Sequence, residues 1–98
     1  MPTYAMLSTV GPDGWNTIRK NPERITEVKA EVERMGLRVI AQYALLGQYD
    51  FLNIIEAPDD LHMARAATLL AARGTMRTTT INAMPIDEFV EVLKTDSQ

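Results

Sequence analysis

The chain contains no cysteine. Disulfides, thiolate metal ligands and cysteine nucleophiles are therefore excluded, and the fold must rest on its core or on association. A single histidine, His62, leaves no pair of imidazoles within one subunit to hold a mononuclear metal. Basic residues are outnumbered, 10 Lys and Arg against 13 Asp and Glu, giving a net charge of −3. Duplex nucleic acid is then a poor partner, because phosphate neutralisation needs a positive surface. No apolar run reaches the ~18 residues that would span a bilayer. The N-terminus also lacks a charged segment followed by a long apolar run, so a cytoplasmic location is the expectation.

What is present suits one folded domain over residues 1–98, with 46% hydrophobic and 23% charged residues. Two dense apolar runs stand at its centre, Val39 to Leu46 and Phe51 to Ala57. The segment Leu46-Gly47-Gln48-Tyr49-Asp50 joins them, and the three pieces read as a β-hairpin. Upstream, Thr3 to Val10 reads as a strand ended by turn chemistry at Gly11-Pro12-Asp13-Gly14. Asn21-Pro22-Glu23-Arg24 reads as a helix start, with Asn21 as cap and Pro22 in the first helical position. Ile25, Val28, Val32 and Met35 then form one apolar stripe, and Gly36 stops the helix. A second helix is predicted from a cap at Asp59 to Arg73, stopped by Gly74. Thr75 to Met84, with three successive threonines, is predicted as a strand. Pro85 opens a short last helix on Ile86, Phe89, Val90 and Leu93, and Thr95 to Gln98 form a polar tail.

The order strand, helix, strand, strand, helix, strand is that of an α+β, ferredoxin-like βαββαβ fold. It predicts a four-stranded antiparallel sheet with both long helices on one face and a short C-terminal helix added. The opposite face then has no cover from its own core. Another subunit's sheet, the terminal helix or both must hide it, and self-association, as a homodimer or higher homo-oligomer, is the physical expectation.

Several polar residues stand out. Tyr49 and Asp50 offer a hydroxyl donor beside a carboxylate and are the candidate catalytic pair. Asp at the start of a strand equally serves to fix a turn through backbone N–H groups. Asn53 interrupts an apolar strand, and a buried amide needs a partner: Tyr43, Ser8 or a ligand. Trp15, the single Trp, suits a lid on the domain edge or the wall of a pocket. Arg73 and Arg77 suit inter-subunit ion pairs or an anionic ligand. The candidate ligand-binding set is therefore Tyr43, Asn53, Trp15 and Arg77. His62 reads as a surface residue near Asp59; no metal site is indicated, and the sequence leaves the question of a cofactor open.

The segments Leu46-Gly47-Gln48-Tyr49-Asp50, Ile55-Glu56-Ala57-Pro58-Asp59-Asp60 and Arg77-Thr78 resemble the GYD domain family in this order. Thr9, Gly14, Pro22 and Arg24 are similar to that family's N-terminal half. The resemblance implies a dimeric α/β barrel in which two sheets face each other. Related barrels include cofactor-free monooxygenases, muconolactone isomerases, haem-binding chlorite dismutases and ligand-sensing regulatory domains. Fold analogy does not choose among them. The first expectation is an oligomer that binds a small molecule in or beside the inter-subunit barrel. An enzyme of the barrel type and a purely structural assembly module are the alternatives.

Overall fold

A computed structural model describes residues 1–74 and 76–95. Four strands, β1 (Thr3–Val10), β2 (Arg38–Ala44), β3 (Phe51–Glu56) and β4 (Met76–Ala83), form one sheet in the order β2-β3-β1-β4. All three pairings are antiparallel. Helices α1 (Pro12–Lys20), α2 (Arg24–Arg34), α3 (Asp60–Ala71) and α4 (Ile86–Thr95) complete the described chain. This is the expected α+β, ferredoxin-like arrangement with its added C-terminal helix, and with one helix, α1, that was not expected. Thr75, at the start of the predicted last strand, and residues 96–98 of the polar tail lie outside the described residues.

The core lies between one sheet face and the helices α2 and α3. Side chains alternate across a strand, and the inward set on β1 is Tyr4, Met6 and Ser8, all buried. From β3 come Asn53 and Ile55, and from α2 and α3 come Val32, Met63, Ala66 and Leu70. Full burial of each large apolar side chain contributes about 1.5–3 kcal/mol. Ala66, 1% exposed, keeps α3 thin where it meets the sheet.

The element ends follow from local chemistry. Asp59 caps α3, its carboxylate accepting the His62 backbone N–H at 2.9 Å. Gly36 and Gly74 adopt φ of 90° and 76° after α2 and α3, the left-handed region where a side chain is strained.

Two local expectations are corrected. Gly11-Pro12-Asp13-Gly14 is not a turn but the opening of α1. Pro12 takes a first-turn position where its missing N–H costs nothing, and Asp13 suits the positive end of the helix. Asn21 is consequently the end of α1, donating its backbone N–H to Thr17, rather than the cap of α2. A turn through Asn21–Arg24 follows, with Arg24 N–H donating to the Asn21 carbonyl at 3.1 Å, and α2 begins at Arg24.

A β-bulge at Ile40 reorders strand β2. Val39 pairs with Ile55 but Ala41 pairs with Ile54, so Ile40 is the extra residue. Beyond the bulge Gln42 stands opposite Asn53, and Tyr43 opposite Leu52.

The opposite face of the sheet carries Leu7, Leu52, Ile54 and Ile81, with Tyr43 and Arg77 beside them. Ile81 is 51% exposed there. Helix α4 buries none of its residues.

Candidate functional site

Row by row, the inward face of β1 reads Tyr4, Met6, Ser8, Val10. Serine is much smaller than its neighbours, and Ala44 on β2 is likewise small. The sheet is therefore hollow beneath the start of α2, where α1 bridges from β1. A cavity of about 190 Å³ opens at that place. Met6, Val10, Phe51 and Met76 give its apolar floor, and Ile18, Ile25 and Val28 give its helical wall. Ser8, Gln42 and Asn53 are the polar groups of the floor, and Arg24 stands at the margin.

The amide pair is well defined. Gln42 Nε2 donates to Asn53 Oδ1 at 2.8 Å, and Asn53 is buried. Asn53 thus finds its partner in Gln42, not in Tyr43 or Ser8. The bulge at Ile40 is the reason: it moves the register by one, so that Gln42 instead of Ala41 stands opposite Asn53 and Tyr43 is turned to the other face.

The candidate ligand residues are partly assembled and partly dispersed. Asn53 is in the cavity floor. Trp15, on α1, packs on Phe51 with ring centroids 5.6 Å apart, so it backs the cavity wall from outside. Tyr43 borders the cavity, but its residue is 56% exposed and its place in the register turns it toward the other face. Arg77 pairs with Thr9 on that other face, away from Asn53.

Asp50 holds the hairpin to β1. Its Oδ2 accepts the Val10 N–H at 2.9 Å, its own N–H donates to the Ser8 carbonyl at 2.8 Å, and its carbonyl accepts the Leu45 N–H at 2.8 Å. Tyr49 beside it is half-buried.

Beyond this cavity, a more polar recess of about 350 Å³ lies between α1, α2 and the start of β4. Arg73 pairs there with Glu31, and Arg24 with Glu27 at 3.2 Å. The Arg73 charge is thus met within the chain.

A second polar cluster joins β1, β4 and α3. The Tyr4 hydroxyl donates to Asp60, and Asn82 Nδ2 donates to the same oxygen at 3.5 Å. The bond to Asp60, with burial and the nearby Asp60 and Asp59 charges, pushes the Tyr4 phenol up to about 12. Tyr4 is therefore a hydrogen-bond donor at neutral pH and not a base. Asp59 is bonded at 2.7 Å to His62 Nδ1, and this bond with the His62 backbone N–H lowers its carboxyl below the ordinary value. Sequence reading missed Tyr4 and Asp60, because their meeting depends on how α3 enters over β1. No group of three or more His, Cys, Asp or Glu suited to a metal is found among the described residues. No helix among them is long and apolar enough to cross a membrane.

Comparison with known proteins extends this picture. A protein of Thermus thermophilus named glutamine synthetase and cystathionine beta-lyase binding protein is 52% identical over 95 residues. The match covers 96% of this chain and 100% of that protein. The crystal structure of an FFRP protein superposes with a TM-score of 0.62 at 20% identity, covering 86% of this chain and 100% of that one. TTHA0845 from Thermus thermophilus superposes with a TM-score of 0.56 at 20% identity, covering 87% and 95%. Both solved structures support the fold alone. The GYD domain model matches residues 4–93, almost the whole chain. Hairpin, capped α3 and last strand thus occur together as that family has them, and the chain belongs to the GYD domain family.

Proposed function

We propose that this chain is a protein-binding module that associates with metabolic enzymes, with glutamine synthetase and cystathionine β-lyase as its partners. One observation carries the proposal: the 52% identity to the Thermus thermophilus binding protein runs over that protein's whole length. The surface is compatible. The outer sheet face and α4 together present Tyr43, Ile81, Ile86, Val92 and Leu93, each more than half exposed. Apolar patches of this kind mark association surfaces, for a second copy as for another protein.

The test is direct binding. The purified chain is titrated against each purified enzyme from its own organism by calorimetry, and an unrelated enzyme of similar size is the control. Saturable binding to either enzyme, absent from the control, is the expected result. Equal heats with all three proteins would remove the proposal.

A second reading is favoured by the cavity of about 190 Å³. On this reading the module also takes up a small molecule, under α1 and α2 rather than in the space between two sheets. A melting-temperature screen with a metabolite panel tests it, and an unmoved melting temperature throughout counts against it.

A further inference from the structure

The polar floor of the cavity has hydrogen-bonding capacity left over. Ser8 is 2% exposed and its hydroxyl has no partner among the described residues. Gln42 and Asn53 share a single hydrogen bond, from Nε2 to Oδ1. Each amide has a second function, so this pair retains one N–H₂ donor and one carbonyl acceptor whichever way the two amides are turned. These groups are not sealed: no fully occluded side-chain nitrogen or oxygen among the described residues lacks a partner. Their unused valences therefore reach open space, and that space is the cavity they line.

The charge balance narrows the occupant further. Among the described residues no carboxylate lines the cavity, and Arg24 at its margin is already paired with Glu27. A buried ion would have no counter-charge on the floor, and the cost of its desolvation would go unmet. The remaining wall is aliphatic, thioether and aromatic: Met6, Val10, Ile25, Val28, Phe51 and Met76. An apolar cavity of about 150 Å³ accepts benzene. A cavity of about 190 Å³ has room for a ring and one polar substituent.

We propose that this cavity is a binding site for a small, neutral, mainly apolar molecule carrying one amide-like group. Its carbonyl is met by the Ser8 hydroxyl, and its N–H by the free amide carbonyl of the Gln42–Asn53 pair. The inference rests on the small-molecule reading above and adds the chemical class and the contacts. It is independent of any binding to enzymes.

Trp15, the single Trp, gives a built-in reporter because it packs on Phe51 of the cavity wall. The experiment titrates the full chain with benzamide and, separately, with toluene, following Trp fluorescence and melting temperature. Benzamide is expected to bind saturably and more tightly than toluene. Ser8→Ala is expected to weaken benzamide by about fivefold, the effect of one hydrogen bond, and to leave toluene unchanged. Val28→Phe, which fills the cavity from α2, is expected to abolish both. Equal affinities for the two probes, or an unmoved benzamide affinity in Ser8→Ala, would overturn the proposed class while leaving a cavity that takes ligands. Binding that survives Val28→Phe would place the ligand elsewhere and overturn the site. Absence of binding by both probes to the folded chain would overturn the small-molecule reading itself.

Discussion

Asp50 shows how a residue suited to chemistry can be committed to structure. Its carboxylate and backbone N–H fasten the hairpin to the end of β1, and its carbonyl closes the hairpin on Leu45. Asp50→Ala removes a charge-assisted bond to the Val10 N–H and is expected to cost about 1–2 kcal/mol in urea unfolding. Tyr49→Phe removes no hydrogen bond among the described residues and is expected to leave stability unchanged in the same measurement. Tyr4 gives a second prediction at this scale. Its phenol is pushed from 10.0 to about 12 in the folded chain. The unfolded chain therefore loses this proton first as pH rises. Stability is fully present below pH 10.0 and falls between there and about 12. Tyr4→Phe is expected to flatten that alkaline decline, read as melting temperature against pH. At the residue scale the sequence was only partly legible. Asn53 was recognisable as a buried amide in need of a partner, because it interrupts an apolar strand. Its partner was not recognisable, because one extra residue at Ile40 brings Gln42 opposite it and turns Tyr43 to the other face.

Elements were easier to read, since each is governed by signals close in sequence. The apolar stripe from Ile25 to Met35 marked α2, and Asp59 and Gly74 marked the ends of α3. The additional helix α1 was not legible. Two glycines and a proline within four residues have the composition of a turn, and only the packing of α1 over β1 and α2 makes a helix of them. The α3 cap carries its own prediction. Bonding to His62 lowers the Asp59 carboxyl, so its stabilising contribution is present above the ordinary carboxylate range. It is lost as pH falls below about 4 and the folded chain takes up the proton. Asp59→Asn keeps an oxygen for the cap but cannot ionise. The melting-temperature gap between wild type and Asp59→Asn is expected to close in acid, and an unchanging gap would show that the charge contributes nothing.

At the scale of the whole molecule, the sheet is finished on one face only. The helices cover the row from Tyr4 to Ser8, while Leu7, Ile54 and Ile81 belong to the other row. We expect this second face to be covered by another copy of the chain. Ile81→Glu places a charge in its middle and is expected to shift the distribution in native mass spectrometry toward single chains. A wild type that is already a single chain would remove that expectation. The strand order could be read from the sequence, since it follows from element order and connection rules. The cavity could not, because it arises where Ser8, Ala44 and the bridging α1 come together from three separate segments.

Helix α4 has ten residues and buries none of them. A peptide of that length, left alone in water, spends much of its time as coil, because helix nucleation costs more than so few turns return. Burial of Phe89 and Leu93 on another surface would supply the missing stabilisation. The helical content of this protein should then depend on how much of it, or of its partner, is in the tube. Dilution alone would melt the last turns and leave the sheet intact. Helix α4 would in this way be a gauge of occupancy, folded when engaged and unwound when not.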